Sequence, residues 1–201
     1  MSETRHEPPA GVSDPAEVPP HIVDAARHVL AQDGLAAATL QRISATAGVS
    51  RMTLHRRGVS KQDILRAIAE GLEADYREAI WPALVGTGTG AERLAHALEL
   101  VCGVTERNSA MLEALSASSH DANAGAGALT RPVFTEPLAR LLLDGAADGS
   151  LAELDPQETA TVLFNLVGHT YRHLRAGHRW SARRAREGVI ALVMGGVVAR
   201  E

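Results

Sequence analysis

Residues 39–61 read TLQRISATAGVSRMTLHRRGVSK, and this stretch decides how the N-terminal part of the chain folds. Thr39 is placed to cap one short helix, and Ser50 is placed to cap the next. Between them, Gly48 can adopt the left-handed backbone conformation that a tight turn needs. Gly58 then marks the end of the second helix. Two short helices joined by a three-residue turn predict a helix-turn-helix.

The second helix of this motif has the side chains that DNA recognition requires. Polar and cationic groups can contact base edges and phosphates while the other side of the helix packs on its neighbour. Over residues 42–66, six basic residues stand against Asp63 alone, although the whole chain has a net charge of −4. A local basic patch on an acidic protein predicts a DNA-binding surface. The residues predicted to contact DNA are Thr39, Ser50, Arg51, Thr53, His55, Arg56, Arg57 and Lys61.

The composition and the spacing of apolar residues predict an all-α protein. Hydrophobic residues make up 45% of the 201 residues but aromatic residues only 3%, so the core must be built from Ala, Leu, Val and Ile. Apolar residues recur at helical spacing, and no alternating stretch indicates a strand. We expect Pro132 and Pro137 to interrupt a helix over 130–143. Three regions are predicted: a disordered tail over 1–19, a helix-turn-helix domain over 20–66, and an effector-binding and dimerisation domain over 67–201.

The same sequence features predict where the protein works. Cys102 is the only cysteine, so no intrachain disulfide can form, which suits a reducing compartment. No apolar run is long enough to cross a membrane, and the acidic, Pro-rich N-terminus lacks the apolar centre of a signal peptide. We therefore expect a cytoplasmic protein that makes no membrane contact.

The stretch 39–61 resembles the TetR family of transcriptional regulators. The motif A-G-V-S-x-x-T-L, followed by S-K, lies at the family's distance from an amphipathic first helix. The resemblance implies a homodimeric repressor without catalysis or cofactor. It also implies that the second helix of each motif enters a major groove of a pseudo-palindromic double-stranded operator, and that a small-molecule effector releases the dimer. The family usually has Tyr at the position of His55 and Phe at the position of Gly58. The second difference predicts a looser junction after the recognition helix.

The resemblance further implies an effector pocket among the middle helices and a dimer interface on the last two. Few charges fall within the apolar stripes, which favours a largely hydrophobic effector. The bulky or polar residues expected to meet in the pocket are Tyr76, Trp81, Met111, Leu115, Phe134, Asn165 and His169. The stripes expected to form the interface are Ala160, Leu163, Phe164, Val167, Tyr171 and Leu174 on one helix, and Gly188, Val189, Leu192, Gly195, Gly196 and Ala199 on the other.

Two other functions stay open at this stage. His169 and His173 lie four residues apart, a spacing at which two imidazoles on one helix can bind a metal. A small metal-dependent enzyme on a helical bundle would use this pair, and stoichiometric bound metal would favour it. The other alternative keeps the DNA-binding motif but replaces the effector with a protein partner, which a closed pocket would favour.

Overall fold

The computed structural model of the chain describes residues 17–113 and 130–198. These residues form an all-α fold, as the sequence predicts, and residues 109–113 are helical in addition to the named elements. The β-type pairing within the described ranges is limited to an isolated antiparallel bridge between Leu151 and Val198. The helices are α1 (Pro20–Ala37), α2 (Leu40–Thr46), α3 (Arg51–Arg56), α4 (Lys61–Val85), α5 (Gly90–Arg107), α6 (Pro132–Ala147), α7 (Pro156–Ala176) and α8 (Ala182–Val197).

The first three helices and the beginning of α4 enclose a small hydrophobic cluster. Each element contributes at least one side chain that is almost fully buried, and Gly34 interrupts the α1 span with a φ of +76°. Val18, near the end of the tail predicted over 1–19, packs against this cluster, and residues 1–16 lie outside the described ranges. The buried members are Ile22, Ala25, Ala26, Val29, Leu30, Ala38, Ile43, Leu54, Val59, Ile64, Ile68 and Met111.

The long helix α4 connects this cluster to the rest of the molecule. It begins with a capping box, in which Asp63 N donates to Ser60 Oγ and Ser60 N donates to the Asp63 carboxylate. Its 25 residues span about 38 Å at 1.5 Å per residue. Ile64 lies in the first cluster and Ile80 in the second. A single helix therefore runs through the predicted domain boundary at residues 66 and 67.

The second cluster surrounds α5, which packs against α4, α6, α7 and α8. The amino end of α5 approaches α6 so closely that a Cβ atom at Gly90 would collide with the backbone of Gly145. Gly90 N donates to Asp148 Oδ2 at 2.6 Å, and Ala91 N donates to Ser150 Oγ at 3.0 Å. The loop after α6 therefore caps α5 and fixes the crossing of the two helices.

Helix α6 differs from the sequence prediction. Pro132 is its first residue, a position where the missing amide hydrogen costs nothing. Pro137 lies inside a helix that continues to Ala147, so the predicted interruption is wrong. Leu138, Leu141 and Leu142 on this helix are buried in the second cluster, and this packing holds the helix together across the proline.

Candidate DNA interface and effector cavity

Local backbone hydrogen bonds fix the turn between α2 and α3. Gly48 has a φ of +70°, Gly48 N donates to Ala45 O at 3.2 Å, and Val49 N donates to Ser44 O at 2.9 Å. This pair of bonds closes α2 in the manner of a Schellman motif. Ser50 then caps α3, its Oγ accepting from Thr53 N at 3.1 Å. The turn predicted from the sequence is confirmed, and it sets the angle at which α3 leaves α2.

The same pattern of two backbone hydrogen bonds closes α3. Gly58 has a φ of +66°; Gly58 N donates to His55 O at 3.0 Å, and Val59 N donates to Leu54 O at 3.1 Å. Leu54 and Val59 are both buried, at 1% and 4% exposure. The predicted looseness after the recognition helix is therefore wrong, because Val59 fills the junction and glycine suits the left-handed conformation there.

Helix α3 exposes a cationic face. Leu54 anchors it in the first cluster, whereas Arg51, His55, Arg56 and Arg57 are exposed. Within residues 17–113 and 130–198, none of the three arginines lies within 4 Å of an acidic side chain. A short helix held at both ends thus presents positive charge that the described part of the chain does not neutralise.

The other residues predicted to contact DNA make hydrogen bonds within the chain. Thr39 Oγ1 accepts from Arg42 N at 3.2 Å and caps α2. The Ser50 and Thr53 hydroxyls lie 2.9 Å apart and share a hydrogen bond. Lys61 Nζ donates to Leu35 O at 3.2 Å and so ties the start of α4 to the segment before α2. Their contacts with DNA stay predictions.

Sequence reasoning missed one residue of α3. Met52 is 64% exposed, although large apolar side chains are usually buried. A search for polar and cationic groups passes over it, and an isolated methionine in a short helix carries no signal of exposure. Only the packing of α3 on α2 shows that this side chain points outward.

Four of the residues predicted for the effector pocket lie near each other between α4, α6 and α7. The rings of Tyr76, Phe134 and Phe164 are in mutual contact, with centroids 5.1–5.8 Å apart. Tyr76 Oη donates to Phe134 O at 2.7 Å, and burial raises the pKa of this phenol well above its usual value. Phe164 also lines a cavity of about 200 Å³ with Asn165 and His169. The other lining residues are Thr105, Leu112, Gly168 and Arg172.

Two other predicted pocket residues lie apart from this group. Trp81 is 61% exposed on α4 and lines neither of the two cavities between α5 and α7. Met111 packs in the first cluster. Contacts of these two residues with an effector stay predictions. Leu115 lies outside the described residues.

A second cavity of about 200 Å³ shares Thr105 and Arg172 with the first and is more polar. On its wall, Arg175 donates to both carboxylate oxygens of Glu106, with Nε–Oε2 at 2.9 Å and Nη2–Oε1 at 2.5 Å. Tyr171 Oη donates to Glu106 Oε2 at 2.9 Å. The Arg175 and Tyr171 hydrogen bonds hold the pKa of Glu106 below its usual value, mainly through Arg175. Arg175 Nη1 also donates to Trp180 O at 2.5 Å, which links this cavity to the segment before α8.

The last two helices expose an apolar surface that differs from the predicted stripe. Ala160, Leu163, Val167 and Tyr171 are at most 4% exposed, because they pack inside their own subunit. The prediction that they form an intersubunit surface is therefore wrong, and Val189 is buried in the same cluster. Ala199 lies outside the described residues. The outward surface, called here the α7–α8 face, consists of Val162, Leu166, Thr170, Leu174, Gly188, Leu192, Gly195 and Gly196.

The α7–α8 face contains a shallow apolar groove of about 240 Å³ beside Trp180. Leu192 lines this groove and is 82% exposed, and Val162 on α7 is 60% exposed. Cβ atoms added at Gly195 and Gly196 would meet no atom of the chain within 4 Å. Contiguous exposed apolar surface of this kind marks an interaction site.

His169 and His173, the pair that a metal-dependent enzyme would use, each contact a different side chain. His169 Nδ1 lies 3.3 Å from Arg172 Nη2, and the ring of His173 stacks edge-on against His178 with centroids 5.0 Å apart. Among the described residues, no group of three or more His, Cys, Asp and Glu side chains is arranged to hold a metal ion. The described helices also include none that is long and apolar enough to cross a membrane.

Comparison with known proteins agrees with this architecture. Residues 22–68 match the model of the family described as bacterial regulatory proteins, tetR family. A transcriptional regulator of the TetR/AcrR family from Thermobifida fusca superposes with a TM-score of 0.65 at 24% identity, covering 90% of this chain and 97% of that one. A ketosteroid transcriptional regulator of Mycobacterium tuberculosis gives 0.64 at 18% identity, with 89% and 94% covered. A candidate fatty acid metabolism regulator of Clostridium perfringens gives 0.70 at 17% identity, with 90% and 100% covered. No curated protein matches the sequence.

The helix-turn-helix with its exposed cationic helix, joined to a helical bundle, defines a DNA-binding transcription regulator. Residues 22–68 carry the DNA-binding domain of the tetR family of bacterial regulatory proteins. The chain as a whole shares the fold of TetR-family regulators.

Proposed function

We propose that this protein is a homodimeric repressor that binds a pseudo-palindromic operator and is released by a small amphipathic effector. The cationic face of α3 carries the proposal. Arg51, Arg56 and Arg57 project from a helix whose two ends are fixed by Gly48 and Gly58, and no described acidic group neutralises them. Such a helix fits a major groove, where arginine can donate to guanine and to phosphate.

The α7–α8 face supports the dimer. It offers contiguous apolar surface from two adjacent helices, and its exposed glycines allow close approach of a partner helix. A second copy of the same face is the proposed occupant, because a twofold axis pairs identical surfaces and closes the assembly at two subunits. The two α3 helices would then contact half-sites about one DNA turn, roughly 34 Å, apart.

The adjoining cavities between α5 and α7 are the proposed effector site. The first has Phe164 and Leu112 on its apolar part, with Asn165 and His169 as polar groups. This lining fits a small molecule that has an apolar body and a hydrogen-bonding end, which is compatible with the largely hydrophobic effector that the sequence favours. The neighbouring Glu106–Arg175 pair gives the polar end of the ligand a charged surface to approach.

Arg175 provides a physical connection between the cavities and the dimer face. Its guanidinium contacts Glu106 on α5 and the carbonyl of Trp180, whose ring lies beside the groove of the α7–α8 face. An effector that displaces the guanidinium would free the segment before α8. The spacing of the two subunits would then change, and with it the fit of both recognition helices to the operator.

The first experiment tests operator binding. Genomic fragments bound by the purified protein are selected, and the bound sequence is titrated at several salt concentrations. We expect a palindromic site and a slope of log affinity against log salt of roughly −0.9 per phosphate contact. Arg56→Ala should weaken binding, whereas the control Arg140→Ala, an exposed arginine of α6 paired with Asp144, should not. Salt-independent binding, or equal losses in both variants, would contradict the proposal.

The second experiment tests the effector site through Gly168, which lines the first cavity. A Cβ atom there would have only Thr105 Oγ1 at 4.0 Å, so Gly168→Ala fits the fold, while the longer side chain of Gly168→Leu would enter the cavity. A medium-chain fatty acid and a steroid ketone serve as probes, because two structural relatives are named for fatty acid and ketosteroid regulation. A probe that releases DNA from the wild type and from Gly168→Ala should fail on Gly168→Leu. Equal release from all three would place the site elsewhere.

A further inference from the structure

Met52 occupies the centre of the outward face of α3. Successive residues of an α-helix are separated by about 100°, so Met52 lies roughly 200° from the buried Leu54 and almost opposite to it. Its 64% exposure agrees with this position, since Leu54 is only 1% exposed. Arg56, one turn further along, shares this part of the face. Met52 and Arg56 thus point most directly away from the packed side of α3, and Met52 is the apolar one of the two.

The neighbours of Met52 restrict what it can contact. Thr53 is half-buried, and its hydroxyl is hydrogen-bonded to the hydroxyl of Ser50 at 2.9 Å, so the threonine methyl is not the foremost apolar group of the helix. Arg51 and Arg56 flank Met52, and neither has an acidic partner among the described residues. Exposed arginines on both sides oppose docking of an ordinary apolar protein surface but favour a polyanion.

We infer that Met52 is a specificity-determining residue that packs against the 5-methyl group of a thymine in each operator half-site. The thymine methyl is the apolar group that base pairs present in the major groove, where the other exposed groups are hydrogen-bond donors and acceptors. A flexible, unbranched thioether side chain can reach it while the flanking arginines contact phosphate or guanine. This inference rests on the proposed binding of α3 to an operator.

Replacement of thymine by deoxyuridine tests the contact, because it removes the methyl group and leaves base pairing intact. Each thymine of the selected operator is replaced in turn, in both half-sites, and affinity is measured for the wild type, Met52→Ala and Met52→Leu. At one position per half-site, the wild type should lose about fourfold in affinity per methyl, the factor that corresponds to about 0.8 kcal/mol for a buried methyl-sized group. Met52→Leu should retain this sensitivity and Met52→Ala should lose it.

Gln62→Ala is the matched control, since Gln62 is exposed at the start of α4 and lies outside α3. It should retain the wild-type response to deoxyuridine. The inference is overturned if the wild type binds a specific operator but no deoxyuridine position weakens it, or if Met52→Ala keeps the full wild-type response. Both results leave the proposed function intact. If the wild type selects no specific sequence at all, the proposed function itself fails, and this inference fails with it.

Discussion

The exposed Leu192 side chain makes the proposed dimer open to a direct test. Leu192 is 82% exposed on the α7–α8 face, so its burial contributes little to the stability of the single subunit. Burying a leucine side chain completely stabilises by about 2 kcal/mol, and a twofold interface buries two copies. Covering the exposed part of both therefore contributes about 3 kcal/mol to the dimer, which is more than a hundredfold in the dissociation constant.

We expect Leu192→Arg to remove this contribution and to bury an unpaired guanidinium group from each subunit in the interface. Sedimentation equilibrium over a concentration series should show the wild type as a dimer and the variant shifted toward monomer by at least two orders of magnitude. The helical circular dichroism signal should stay the same, because the substituted side chain lies outside the core of the subunit.

Leu143→Arg is the matched control for this measurement. Leu143 is 53% exposed on α6, outside the α7–α8 face, so the same chemical change there should leave the dimer constant near the wild-type value. A wild type that sediments as a monomer at tens of micromolar would refute the reasoning. So would a Leu192→Arg protein that dimerises as tightly as the wild type.

Three further outcomes follow from the packing and charges. Gly90→Ala should lower the free energy of unfolding by about 2 kcal/mol in urea titrations, because the added Cβ would collide with α6. The control Gly103→Ala, on the same helix, meets only a side-chain atom at 3.6 Å and should raise the free energy of unfolding by up to about 1 kcal/mol. Equal effects of the two substitutions would contradict the close approach of α5 and α6. Hydrogen bonds from Ser60, the N-cap of α4, lower the pKa of Asp63 below 3.8. The ionised carboxylate therefore stabilises the folded protein above pH 3.8, and this stabilisation is lost as the pH falls through the pKa of the folded state. Thermal melts should therefore show Asp63→Asn as less stable at neutral pH and less sensitive to acid below pH 4; parallel pH curves would contradict this. Arg175→Lys should lower operator affinity without effector and leave a smaller effector-induced release, both measured by fluorescence anisotropy, because lysine cannot bond both Glu106 oxygens and the Trp180 carbonyl at once. Wild-type affinity together with an unchanged response would exclude the connection.

The sequence by itself determined the parts of this protein that depend on neighbours a few residues away. Gly48, Gly58 and Ser50 set the helix-turn-helix, and the Ser60–Asp63 capping box starts α4. In each case the donor and the acceptor lie within five residues of each other, so the residue types and their spacing are enough to specify the bond. The all-α class and the DNA-binding helix followed from these local signals.

Tertiary structure alone decided which of several apolar surfaces is covered, and by what. Helix α7 has one apolar row through Leu163 and Val167 and another through Val162 and Leu166. The first row is buried in the second cluster, and the second row is exposed. Periodicity shows both rows but cannot rank them, since burial depends on elements distant in the chain. The outward position of Met52 has the same explanation. Transfer of an apolar side chain out of water is favourable at any position in the chain, so only the packing of the whole chain determines which of these side chains are buried.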